Sequence, residues 1–179
     1  MNTISCSKVF LVLLVTLFPT QILAQNAILA VCDKTLYKEL CISTLQSDPA
    51  SESATSFEDA ATIILKNATS TATQISDQLT KMIQQGSSQW SGGDLTALAN
   101  CKKYYQDAIG KLADSSKALA SRMYNDVKKG MLSAMGAGPL CDDDFEAYGS
   151  TGTSPLGNQG DTYNSICALV YELCMAIAS

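Results

Sequence analysis

Residues 56–85 read SFEDAATIILKNATSTATQISDQLTKMIQQ, a stretch without glycine or proline. Phe57, Ala61, Ile64, Ala68, Thr71, Ile75, Leu79 and Met82 recur along it at steps of four and three. An α-helix turns once in about 3.6 residues, so this spacing draws one apolar stripe along a single helix of about eight turns. Ser56 is placed to cap that helix. Glu58 and Asp59 fall in its first turn, where the positive end of the helix dipole favours carboxylates. A stripe of this length must be covered by other elements, and the rest of the chain supplies them.

Asp94 is expected to cap a second helix from Leu95 to about Ser121, with Leu98, Cys101, Tyr105, Ala108, Leu112, Ser115 and Leu119 on one face. A third starts near Tyr124 with Val127, Met131 and Ala134, and is expected to break at Gly136-Ala137-Gly138-Pro139. A short acidic helical turn, Cys141 to Tyr148, follows it. Residues 149–160, GSTGTSPLGNQG, read as a polar loop, and a last helix from Thr162 to Ala178 carries Tyr163, Ile166, Cys167, Val170, Leu173, Cys174 and Ile177. No stretch alternates polar and apolar residues long enough to propose a strand. The expectation is an all-α protein whose four helices bury their stripes together as a bundle over residues 56–178.

Upstream, Asn26 to Leu45 reads as two short helical pieces folded back on each other across Asp33-Lys34-Thr35, with Cys32 and Cys41 inside them. Ser47-Asp48-Pro49 ends this hairpin, because proline cannot continue a helix and restricts the residue before it. The first 24 residues have the layout of a secretory signal. Lys8 precedes the apolar run Val9–Phe18, Pro19-Thr20-Gln21 breaks it, and Ala24 closes it. Ten apolar residues fall short of the 20 or so that span a bilayer. The mature chain is then expected to begin at Gln25, to form one domain over residues 25–179, and to carry no membrane anchor.

The chain has 179 residues, 12 basic and 17 acidic side chains, seven cysteines and no histidine. Without histidine no Ser-His-Asp triad, Cys-His pair or histidine metal site can be assembled within it. No two acids share an otherwise apolar face, so no carboxylate pair offers itself for acid–base chemistry, and neither a catalytic role nor a cofactor is expected. Loss of Met1–Ala24 leaves 11 basic against 17 acidic groups. That balance argues against nucleic acid, which calls for a basic stripe, and against anionic lipid.

Six cysteines remain in an exported chain and point to disulfides rather than metal. Cys167 and Cys174 lie about 10 Å apart along one helix, too far to bridge, which leaves twelve of the fifteen pairing schemes. The simplest joins Cys32 to Cys41 and Cys101 to Cys141. Cys167 and Cys174 are then two buried free thiols, or one of them faces outward and links a second chain.

At these residues the sequence resembles a family. Cys32-x2-Thr35-x-Tyr37-x3-Cys41-x3-Leu45-x-Ser47-Asp48-Pro49-x-Ser51 is similar to the opening signature of the plant invertase and pectin methylesterase inhibitors. Asn100-Cys101 with Tyr104-Tyr105 and Ala108, and then Cys141-x-Asp143-x-Phe145, match further segments in order. The resemblance covers essentially the whole mature chain. It implies an up-and-down four-helix bundle with an N-terminal helical hairpin, disulfides pairing the first two cysteines and the next two, and export to the cell wall or vacuole. It also implies one-to-one inhibition of a carbohydrate-active enzyme by covering its cleft, by a protein monomeric when free. Some members of the family are pollen allergens.

The turn between the second and third helices bears on the target. Invertase inhibitors of the family often carry Pro-Lys-Phe there, and this chain has Ser121-Arg122-Met123-Tyr124-Asn125-Asp126. Met123-Tyr124 loosely resembles the small-residue–Tyr pair of pectin methylesterase inhibitors, so pectin methylesterase is the first reading and acid invertase the alternative. Met123, Tyr124, Asn125 and Asp126, with the outward-facing Tyr104, are the candidate interface. Asn67-Ala68-Thr69 is the one N-x-S/T sequon and a candidate glycosylation site. Trp90, in a Gly/Ser loop, is read as capping the end of the core, and Asp142–Asp144 with Glu146 as a solvated helix start. A disulfide-tied helical bundle could instead carry a small apolar ligand, a reading that needs all six cysteines paired.

Overall fold

The computed structural model describes residues 28–177, and every regular element among them is helical. Residues 28–32 form the described part of a first helix, α1. The others are α2 (Lys38–Ser47), α3 (Phe57–Gln85), α4 (Gly92–Ala120), α5 (Tyr124–Ala134), α6 (Ala137–Tyr148) and α7 (Gln159–Ile177), with short 3-10 turns at Pro49–Ser53 and Gly86–Ser88. The expected signal segment lies outside the described residues.

The long helices pack as a ring. α3 lies against α4 and α7, α4 against α5 and α6, and α5 against α7, so that α5 and α6 together make the third rod of an up-and-down four-helix bundle. Their stripes meet as expected in α4, where all seven face residues are buried, and in α5. In α3 the buried row drifts: Ala61, Ile64, Ala68, Ile75 and Leu79 are inside, but Ala72 takes the place expected of Thr71, which sits at the flank. At the centre the rings of Tyr105 and Tyr163 meet edge to face with centroids 5.4 Å apart.

Two helix starts use the same device. Ser56 Oγ accepts from the Asp59 N–H while the Asp59 carboxylate accepts from the Ser56 N–H, and Ser91 and Asp94 repeat this reciprocal box. The cap of α4 is therefore Ser91, and Asp94 is its third-position partner rather than the cap itself. Gly92 and Gly93 begin the helix instead of ending the loop. A Cβ on Gly93 would collide with the Tyr148 carbonyl oxygen, so a glycine lets the start of α4 approach the end of α6.

The third rod breaks earlier than expected. α5 ends at Ala134 and α6 resumes at Ala137, so that Gly138 and Pro139 lie inside the first turn of α6. A proline ring clashes with the carbonyl four residues before it, here that of Met135, but its missing N–H costs nothing in a first turn. The Ala134 carbonyl left free by the break accepts from the Tyr163 hydroxyl at 3.2 Å.

Cys32–Cys41 closes the N-terminal hairpin and Cys101–Cys141 ties α4 to α6, with Cα separations of 5.6 and 4.6 Å. The hairpin docks on the bundle where the Leu36 N–H donates to Glu172 Oε2 at 3.0 Å. Beyond α2, Asp48 accepts from the Ala50 N–H and pairs with Lys66 of α3 at 3.0 Å. Cys167 and Cys174 are free and buried on α7, which removes the alternative of an outward-facing link. Burial pushes both thiols up, to about 12 and about 11, so they remain protonated at neutral pH.

Candidate functional site

The connection from α4 to α5 is three residues long and lies at one end of the bundle. α4 stops in a Schellman motif: the Arg122 N–H donates to Leu119 O at 2.9 Å and the Met123 N–H to Ala118 O at 2.8 Å. This places Arg122 at φ 57°, the left-handed region, where glycine is the usual occupant. A bulky cation held in that conformation is a local strain of the kind that clusters at binding sites.

The turn opens onto a depression of about 450 Å³ lined by Arg122, Met123, Tyr124, Asn125, Asp126 and Lys129. Met123 stands 48% exposed at its edge, an apolar side chain on a tight turn with no core to enter. Tyr124 is half-buried and fixed from outside the turn, because its hydroxyl donates to Glu58 Oε1 of α3 at 2.9 Å. Burial and this carboxylate raise the phenol above its ordinary value, so it stays a neutral hydroxyl. Lys129 pairs with Asp126 at 3.4 Å one turn along α5, and Lys128 reaches Met175 Sδ of α7 at 3.4 Å. The patch thus joins an apolar centre to charges of both signs on a helix pair held by its neighbours.

The structure brings Met123, Tyr124, Asn125 and Asp126 together and leaves Tyr104 apart. Tyr104 lies about 24 Å from the end of α4 at 1.5 Å per residue, half-buried, with its hydroxyl donating to Asp144 Oδ2 of α6 at 3.0 Å. Arg122 and Lys129 were not singled out from the sequence. Lys129 was findable, since it lies four and three residues beyond Asn125 and Asp126 on one helix face. The left-handed conformation of Arg122 has no sequence signal at all.

Other residues singled out from the sequence fall elsewhere. Asn67 is half-buried on α3, and the hydroxyl of its partner Thr69 donates to Leu65 O at 2.9 Å. Trp90 packs against the core and donates to Gln85 Oε1 at 3.2 Å. The acids 142–144 and 146 lie within α6 rather than at its start, since the helix begins at Ala137. Desolvation and the nearby Asp161 raise Asp142 above its ordinary value. Among the described residues no group of three or more Cys, Asp or Glu is arranged to hold a metal, and no helix is long and apolar enough to cross a membrane.

The chain is thus a disulfide-stapled helical bundle that presents a fixed, partly apolar turn at one end. The plant invertase/pectin methylesterase inhibitor family matches residues 26–177, and the chain belongs to that family. In its fold it is similar to a mutant form of a pectin methylesterase inhibitor from Arabidopsis, with a TM-score of 0.66 and 22% identity over 81% of this chain and 93% of that one. It is likewise similar to a pectin methylesterase inhibitor from Arabidopsis thaliana, with a TM-score of 0.59 and 22% identity over 84% of this chain and 95% of that one. Comparison with curated proteins gives no match.

Proposed function

We propose that the mature chain is an exported inhibitor that binds a plant cell-wall carbohydrate-active enzyme one to one, with pectin methylesterase as its target and acid invertase as the alternative. The family assignment over residues 26–177 supports the inhibitor class, and the α4–α5 turn supports the mode. That turn offers an exposed Met123 and an anchored Tyr124 on a scaffold tied by Cys101–Cys141. Little needs to be ordered when such a surface docks, so less of the contact energy is lost to immobilisation. The protein acts by occluding the cleft, without chemistry of its own. Tyr104, about 24 Å back along α4 from the turn and held by Asp144 of α6, is a second point of contact. The carrier reading needs all six cysteines paired, and Cys167 and Cys174 are free.

Titrating the purified mature protein against a plant pectin methylesterase and an acid invertase tests this. Stoichiometric loss of pectin methylesterase activity at micromolar protein is the expected result. Loss of invertase activity alone selects the alternative target, and loss of neither overturns the inhibitor reading.

A further inference from the structure

The sequon Asn67-Ala68-Thr69 lies on α3, with Asn67 one turn before Thr71, the first residue along α3 that lines a groove the turn-based site does not use. At about 100° per residue, Asn67 falls on the helix face between Thr71 and Gln74, one turn and two turns further on. Thr71, Gln74 and Ile75 form one wall of a cleft of about 320 Å³, and Asn158, Gln159 and Thr162 at the start of α7 form the other. The lining holds three amides, two hydroxyls and one aliphatic side chain, with no charged group. Neutral donors and acceptors beside an apolar strip match the hydroxyls, acetamido group and apolar ring face of an N-acetylhexosamine. Asn67 itself is half-buried, and its side-chain amide has no hydrogen-bond partner among the described residues.

We propose that Asn67 carries an N-linked glycan whose first sugars lie along this groove between α3 and α7. The inference rests on the export reading above, since the modification takes place on the secretory route. In the transfer, Asn67 Nδ2 bonds to the anomeric carbon of a lipid-pyrophosphate-linked oligosaccharide. The carbon–oxygen bond to the pyrophosphate breaks, the amide loses one proton and the lipid pyrophosphate leaves. In the folded helix the Thr69 hydroxyl is committed to Leu65 O, so the transfer precedes closure of α3, on the extended nascent chain. Once α3 and α7 pack, the groove holds the proximal sugars and ties the start of α7 to the middle of α3.

The test is secretion of the full chain from a plant cell line, with mass measurement and hydrogen exchange on the secreted protein. The expected mass exceeds that of the chain by one glycan, which a peptide N-glycosidase removes, leaving Asp at position 67. Asn67→Gln and, independently, Thr69→Ala should each abolish the added mass. Amide exchange over residues 71–75 and 158–162 should be several-fold slower in the glycosylated protein than in either variant. Secreted protein without a glycan overturns the proposal, as does a glycan that leaves exchange in the groove unchanged. A chain that fails to reach the medium overturns the export reading on which it rests.

Discussion

Where α4 begins, Asp94 is 4% exposed and accepts from the Ser91 N–H, the Ser150 N–H and the Ser150 hydroxyl at 2.8–3.0 Å, which fastens the α6–α7 loop to the helix start. Where α4 ends, the backbone closes with a left-handed arginine, and Met123 and its neighbours face solvent over an open depression. The first end uses polar side chains to satisfy its own backbone, so they have little left to offer another molecule. The second satisfies its backbone with main-chain bonds alone, which leaves Met123 exposed while Tyr124 and Asp126 are held by Glu58 and Lys129. One helix thus has an end that holds the fold and an end that is free to be read by a partner, and substitutions at the two should separate stability from binding.

The largest expected effect is common to both ends. Replacing Cys101 and Cys141 together by Ala removes a cross-link spanning 40 residues, which loop-closure entropy values at about 4 kcal/mol. Urea unfolding measures this loss, and a change below about 1 kcal/mol would contradict it. Next, Met123→Glu should weaken inhibition at least tenfold, or about 1.4 kcal/mol, with an unchanged melting temperature. If inhibition is untouched, the exposed end is not the binding end. Ser91→Ala should show the reverse behaviour: it removes a helix cap worth about 1 kcal/mol and leaves inhibition unchanged.

Arg122→Gly sharpens the contrast within one residue. Relief of the left-handed strain should raise stability by about 0.5–1 kcal/mol, net of the greater freedom of glycine in the unfolded chain. Loss of the guanidinium at the rim should weaken inhibition. Equal movement of both in the same direction would show that the turn is merely structural.

The last effect concerns acid. Hydrogen bonds from the Ser150 N–H, then from the Ser91 and Ser150 side chains, hold the Asp94 carboxyl down at about 2, below its ordinary 3.8. A depressed carboxylate contributes stability that is full above the unfolded value and fades as pH falls toward the folded one. Thermal unfolding of the native chain should therefore weaken between pH 3.8 and about 2, and Asp94→Asn should flatten part of that slope. An unchanged slope would remove Asp94 from the acid response. Because the chain has no histidine, any weakening of the complex between pH 5 and 8 must come from the target, a perturbed carboxylate or the chain terminus.

The bundle was legible because its faces repeat: every face residue expected on α4, from Leu98 to Leu119, is buried. Helix ends were less so. Ser91-x-x-Asp94 has the same form as Ser56-x-x-Asp59, yet Gly92-Gly93 disguised it as loop, and the approach of Tyr148 explains Gly93 while Gly92 stands in open space. Pro139 marked a break but not its side, because proline both ends one helix and fits the first turn of the next. At the candidate site, adjacency along the chain brought Met123 to Asp126 together. Arg122's backbone and the anchoring of Tyr124 by Glu58, 66 residues away, depend on tertiary structure that no local pattern encodes.

Hydrogen exchange on the inhibitor in complex with pectin methylesterase tests the division between the two ends most directly. The expected footprint is slowed exchange over residues 121–129, with residues 86–94 and 149–154 exchanging as in the free protein. Protection confined to residues 86–94 and 149–154, with residues 121–129 unchanged, would contradict it.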